Sequence, residues 1–212
     1  MQDQGCRRLD RFRLGELNHY FDPGDGAWES RTITVRLAGR DVVVETAGGT
    51  FSPEHLDTGT RILLETVAEP EGRILDVGCG WGPIALAAAL ENPAADVWAI
   101  DVNERALELT TRNAERHGCT NIHAVSPANV PTDLEFDAIW SNPPIRVGKE
   151  ELHAILETWI PRLRAGGTAW LVVAKQLGAE SLMRWLRAKW PDADVSKAEN
   201  SKGFWVIEFV AP

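Results

Sequence analysis

The sequence predicts an α/β protein: an open, mostly parallel sheet covered by helices, with a small β extension in front of it. Three observations predict it. From Arg73 onward, short apolar runs alternate with amphipathic stretches. A glycine-rich turn follows the first of those runs. Residues 1–52 lack helical periodicity and carry two short alternating segments instead.

In chain order, Arg31 to Leu37 and Asp41 to Thr46 alternate apolar with polar about Ala38-Gly39-Arg40, which predicts a hairpin. Asp57 to Ala68 reads as a helix, with Leu56, Ile62, Leu63 and Val67 near one face. Strands are expected at Arg73 to Val77, Asp96 to Ile100, Asn121 to Val125, Phe136 to Ser141, Thr168 to Ala174 and Phe204 to Val210. Helices are expected at Pro83 to Leu90, Glu104 to His117, Lys149 to Arg164 and near Ser181 to Trp190. The third of these carries Leu152, Ile155, Leu156, Trp159, Ile160 and Leu163 as one apolar stripe, and Gly166-Gly167 breaks it. The division expected is residues 1–52 as the extension and 53–212 as the main domain.

The 212 residues, 44% hydrophobic and 25% charged, suit one such domain. No apolar run reaches the length of a membrane span, and none follows Arg7, Arg8, Arg11 and Arg13, so neither a transmembrane helix nor a signal peptide is expected. Cys6, Cys79 and Cys119 share no metal or redox spacing, and His19, His55, His117, His123 and His153 form no ligand pattern. Reduced thiols, a cytoplasmic location and no metal follow as expectations. A net charge of −9 argues against general nucleic-acid binding and leaves room for a local basic patch.

The first strand of the parallel run ends in Asp76-Val77-Gly78-Cys79-Gly80-Trp81-Gly82, and Asp101 ends the second. Ligands of open α/β sheets bind beyond the carboxyl ends of the strands. A carboxylate at 101 suits the two hydroxyls of a ribose. A dinucleotide and S-adenosyl-L-methionine compete for such a loop. An acid at 76 repels a pyrophosphate and suits a cationic amino-acid tail. Trp81, inside the loop, is either a ligand cover or packing. Trp98, Trp140, Trp170 and Trp205 are expected in the core.

The fourth strand ends in Ser141-Asn142-Pro143-Pro144-Ile145. The prolines fix their own φ angles and push Asn142 toward extended geometry. Two acceptors, the Asn142 side-chain carbonyl and the Pro143 main-chain carbonyl, then suit the two hydrogens of a planar amino group. Holding both favours pyramidalisation and aims the nitrogen lone pair at an electrophile.

At these residues the chain resembles the small-domain methyltransferases that modify the exocyclic amino group of guanine in small-subunit (16S) ribosomal RNA. The resemblance runs from His19-Tyr20-Phe21 through Thr50-Phe51-Ser52, Leu56-Asp57-Thr58-Gly59, the glycine loop, Asn142 to Arg146, Gly148-Lys149 and Gly166-Gly167 to Lys202-Gly203-Phe204. It is similar to the single-domain branch. It implies a Rossmann-like seven-stranded class I methyltransferase sheet and S-adenosyl-L-methionine as cofactor. It implies ribosomal RNA or the small ribosomal subunit as partner; no membrane or metal partner is expected, and the oligomeric state stays open with a monomer favoured. Carried over residue by residue, Phe51, Asp76, Gly78, Cys79, Gly80, Asp101, Val102 and Asn142 hold the cofactor, with Asn103 beside Asp101. Asn142, Pro143, Pro144 and Ile145 are catalytic, and Asp57 to Gly59 lies near the cofactor; Arg146 and Lys149, which flank the catalytic edge, are expected to bind substrate phosphates, with solvated surface charge as the alternative.

Two positions depart from the pattern. Pro127, in Ser126-Pro127-Ala128-Asn129, stands where an Asp or Asn often meets adenine, and Ile145 stands where other amino methyltransferases carry a stacking aromatic. A protein glutamine amide, a DNA adenine or a small-molecule amine is an alternative target for the same chemistry. A non-catalytic cofactor-binding module in ribosome assembly is the alternative of another class.

Overall fold

A computed structural model describes residues 28–144 and 148–212. Strands β1 (Ser30–Leu37) and β2 (Arg40–Ala47) form the expected antiparallel hairpin. Its two-residue turn places Ala38 and Gly39 at φ 48° and 69°, the geometry whose twist matches that of the flanking strands.

Helix α1 (Thr58–Thr66) leads into the main sheet. There β3 (Arg73–Val77), α2 (Pro83–Glu91), β4 (Asp96–Ile100), α3 (Glu104–Arg116), β5 (Ile122–Val125), β6 (Phe136–Ser141), α4 (Lys149–Trp159), β7 (Leu163–Ala174), α5 (Ala179–Lys189), β8 (Asp194–Ser201) and β9 (Phe204–Val210) follow. The sheet order is β5-β4-β3-β6-β7-β9-β8, with β9 antiparallel to both neighbours and the other pairs parallel. This is the seven-stranded Rossmann-like sheet that the resemblance implies. Because β4 flanks β3 on one side and β6 on the other, the strand order reverses at β3, and a crevice opens at its carboxyl end.

Successive strand residues face opposite sides of the sheet. Leu75 and Val77 pack with Phe136, Ile139, Leu171 and Ile207 beneath α4 and α5. Ile74 packs with Val97, Trp140, Val172 and Val206 beneath α1 and α2. Asp76 shares the Ile74 side and so points at the start of α2. The hairpin adds a third cluster, in which Val35, Leu37, Val42 and Val44 close over Trp81, Leu86 and Leu109.

The structure differs from the sequence-based expectation at three elements. β8 (DVSKAENS) is a seventh strand absent from the periodicity; as the sheet edge it buries only Val195, so its sequence is polar. Helix α4 stops at Trp159 rather than Arg164, because Pro161 lacks an N–H and the chain tightens into a 3₁₀ turn over Ile160–Arg162. Gly166-Gly167 lies inside β7. A Cβ on Gly167 would meet the carbonyl oxygens of Arg164 at 2.9 Å and Asp137 at 3.1 Å, so only glycine fits. Among the described residues no helix is long and apolar enough to cross a membrane.

Candidate active site

The loop after β3 uses glycine where the backbone turns left-handed: Gly78, Gly80 and Gly82 lie at φ 78°, 58° and 88°. Its donors face inward. Gly78 N and Cys79 N both donate to Ile100 O (2.9 and 3.0 Å), and Gly82 N donates to Cys79 O (2.9 Å). Gly80 N donates to Asp101 Oδ2 (3.0 Å), while Thr110 Oγ1 donates to Gly80 O (3.1 Å). The first turn of α2 is closed in the same way, since Ala85 N donates to Asp76 Oδ2 (3.2 Å). A pyrophosphate site needs free loop N–H groups and an open positive helix end. Here those four N–H groups are engaged and a carboxylate meets the helix end, which opposes the dinucleotide reading.

The two carboxylates differ in what they leave open. Asp76 is fully buried, and burial, followed in order by the opposing Ala85 N–H and the added charge of Asp101, sets its pKa at about 8. Its Oδ1 has no partner. Burial also raises Asp101, against the N–H groups of Asn103, Gly80 and Val102. Asp101 accepts one backbone bond on each oxygen, from Gly80 N and Asn103 N, and keeps acceptor capacity on both. Beside it stand two exposed apolar side chains, Val102 (47%) and Phe51 (52%). Phe51 Cβ lies 3.8 Å from where a Cβ on Gly80 would be, so the ring belongs to the loop's rim. Apolar walls around a two-oxygen acceptor suit a flat ring bearing vicinal hydroxyls.

Strand β6 delivers Asn142 next to this loop. Ser141 Oγ donates to Val77 O (2.6 Å), tying the ends of β6 and β3, and Pro144 Cδ lies 3.8 Å from where a Cβ on Gly78 would be. The Asn142 amide is held by α1. Its Nδ2 donates to Asp57 Oδ2 (2.9 Å) and to Thr60 Oγ1 (3.0 Å). Asp57 is the N-cap of α1, and the same oxygen accepts from Gly59 N and Thr60 N. A carboxylate only accepts, so the NH₂ must face Asp57 and the carbonyl must face away. No described residue donates to that carbonyl oxygen, and it is not sealed from solvent.

Phe51, Gly78, Gly80, Asp101, Val102, Asn142 and Pro144 thus gather around one crevice. Three neighbouring side chains turn toward the protein's own groups. Trp81 does not cover the loop: it is 1% exposed, packed under the hairpin, with Nε1 donating to Ser52 O. Cys79 has its N–H, carbonyl and buried thiol all engaged within the protein. Asn103 lies beside Asp101 with its amide spent on Arg105 N and Gly49 O. Pro127 begins a 3₁₀ turn, with Asn129 exposed at its end. Lys149 is exposed at the first position of α4. Ile145, Arg146, His19 to Phe21 and the arginines at 7, 8, 11 and 13 lie outside the described residues.

Asp57 and Thr60 as holders of Asn142 were missed. An Asp before Thr58 is a helix-start signal, and it marks the cap without marking what the cap holds. Partners 85 and 82 residues away carry no local signal.

Residues 41–208 match the family model of the methyltransferase small domain. The chain is 38% identical over 196 residues to YbxB, an uncharacterised protein of Bacillus subtilis, covering 90% of this chain and 96% of that one. It is 33% identical over 158 residues to a ribosomal RNA small subunit methyltransferase C of Shewanella amazonensis, covering 73% of this chain and 46% of that protein. The chain therefore spans about half the length of such relatives or less. Among solved structures, the T. thermophilus 16S rRNA methyltransferase in complex with AdoMet and guanosine matches with a TM-score of 0.76 at 22% identity, over 88% of this chain and 51% of that one. The methyltransferase from Pyrococcus furiosus matches with a TM-score of 0.58 at 24% identity, over 76% and 86%.

Proposed function

The chain belongs to the methyltransferase small-domain family, and on that premise we propose that it methylates the exocyclic amino group of a guanine in small-subunit ribosomal RNA, using S-adenosyl-L-methionine in the cytoplasm. The observation that carries the reading is the Asn142 amide, clamped by its NH₂ so that its carbonyl is offered beside the glycine loop.

The residues of the crevice fit this cofactor. Gly78 and Gly80 leave room where a Cβ would fill the gap toward Pro144 and Phe51. Asp101 accepts the ribose hydroxyls, with Val102 and Phe51 as apolar walls. Asp76, with an unpartnered oxygen and a raised pKa, supplies negative charge beneath a cationic ligand, which draws its proton off. Bound there, S-adenosyl-L-methionine supplies a methyl group on a sulfonium that an amine attacks.

The protein's own part is to aim the amine. Asn142 Oδ1 accepts one N–H, and the Pro143 carbonyl accepts the other, so the lone pair is directed away from both. As positive charge develops on nitrogen, the carbonyl dipoles stabilise it, and the proton then leaves to solvent. Arg146 and Lys149 contact substrate phosphates. The target base leaves its stack to reach the crevice.

Incubation of the purified protein with labelled S-adenosyl-L-methionine and small ribosomal subunits, or naked ribosomal RNA, tests the reading. Label is expected in guanosine after nucleoside digestion. Label in protein or small molecules, with none in guanosine, overturns it. The net charge of −9 favours one competitor, a protein glutamine amide, whose NH₂ suits the same two acceptors.

A further inference from the structure

Most described cations of this chain are engaged. Arg31, Arg36, Arg73, Arg112, Arg116, Arg164, Arg184 and Lys189 pair with carboxylates. Arg105, Arg162 and Arg187 donate to carbonyls, and Lys197 lies over Trp205. Arg40 and Arg61 have no such partner among the described residues; one closes the hairpin turn and the other lies on α1. The remaining three, Lys149, Lys175 and Lys202, are exposed, likewise without such a partner among the described residues, and share one edge.

Contacts join that edge to the Asn142 site. Lys149 starts α4, directly after the segment that leaves β6. A cavity of about 130 Å³ connects Lys149 and His153 to Leu177 and Ser181, past the carboxyl end of β7. Lys175 N, at that end, donates to Gly203 O (2.8 Å), which sets Lys202 in the β8–β9 turn alongside it. The next residue, Phe204, meets the Asp57-capped turn of α1: its ring lies 3.0 Å from where a Cβ on Gly59 would be. Nearby acids do not cancel the lysines. Glu180 is held by Arg184, and Glu150 and Glu151 sit in the first turn of α4, where the helix dipole offsets them.

We propose that Lys149, Lys175 and Lys202 form a phosphate-binding arc for the RNA strand flanking the target base, an inference that rests on the reading of the substrate as RNA. On a chain of net charge −9, a strand reaches the crevice only along an edge where cations are free. The arc supplies that edge on the β6–β7–β9 side of the sheet. It acts on binding and registry; Asn142 acts on chemistry.

The test is fluorescence anisotropy of a guanine-containing single-stranded RNA with the full chain, between about 50 and 200 mM salt. A triple Lys149→Gln, Lys175→Gln, Lys202→Gln variant is expected to flatten the plot of log affinity against log salt by about 2, the share of three phosphate contacts on a single strand. A triple Lys→Arg variant is expected to restore the slope, with cofactor affinity and Tm unchanged in both. An unchanged slope in the glutamine variant, while the wild-type chain still methylates guanosine, overturns the arc and leaves the substrate reading standing. A wild-type chain that binds no RNA, yet binds polyglutamate through the same lysines, overturns both.

Discussion

The carboxyl edge of the sheet divides at β3 into two halves of opposite character. On the β3–β4 half stand Asp76 and Asp101, both held by backbone N–H groups, with no cation bonded to either among the described residues. On the β6–β7–β9 half stand Lys149, Lys175 and Lys202, exposed and paired with no carboxylate among the described residues. One half suits a small cation and the other a polyanion. A net charge hides this polarity, because charges separated by more than about 10 Å act on their own ligands. Asn142 lies at the seam, where the strand order reverses.

The contrast is broken most severely at the seam itself. Asn142→Ala is expected to lower turnover by roughly 10²–10³, the cost of one oriented polar group, while cofactor affinity stays near normal. Single-turnover transfer beside a cofactor titration checks this; unchanged turnover removes Asn142 from the mechanism. Asp101→Ala attacks the acidic half alone. Cofactor affinity should fall roughly 10- to 100-fold, the scale of hydrogen bonds to a charged acceptor, with turnover recovering at saturating cofactor. Calorimetric binding together with saturation kinetics separates the two effects.

A smaller effect is expected at Thr60. Thr60→Val removes one of two holders of the Asn142 amide and leaves the Asp57 cap in place. Turnover should fall about 2- to 10-fold, with Tm and cofactor affinity held and Thr60→Ser restoring the rate. Recovery in the serine variant marks an orienting hydroxyl, which packing alone does not mimic.

The last prediction concerns stability. Asp76 has an ordinary value of 3.8 and a folded value of about 8. The folded state therefore holds this proton more tightly than the unfolded state. The contribution is fully present below the lower value and is lost as pH rises through the upper one. Asp76→Asn has no proton to lose. Its Tm, measured without cofactor, should gain on the wild-type Tm as pH rises from 4 to 8, and the gap should level off above. A gap independent of pH removes the buried carboxylate from the account. The same variant should bind cofactor more weakly.

Much of this was legible in the sequence, for identifiable reasons. The parallel strands are short, apolar and punctuated by glycine, so β3, β4 and β6 appear within a residue or less of their bounds. The glycine loop and the Asn-Pro-Pro edge are local chemistry, and local chemistry is readable. β8 was not, because an edge strand with one buried residue has no apolar pattern to show. The end of α4 was overrun because the apolar stripe continues through Ile160 and Leu163 after Pro161 has already ended the helix. Trp81 sits in the loop by sequence, but the partners that bury it, Val35 to Val44, come from a hairpin far upstream. The hold on Asn142 was invisible for the same reason: it forms only once α1 is packed against the sheet.

That hold gives α1 a second meaning. Asp57 Oδ2 accepts from Gly59 N, Thr60 N and Asn142 Nδ2 together, so the start of a helix and the aim of a side chain share one atom. Fraying of the first turn of α1 releases both at once. The fraction of time during which the Gly59 and Thr60 amides exchange with solvent is then also the fraction during which the site is unaimed. Local opening of a single helical turn thereby loosens a side chain that lies 85 residues away in the sequence.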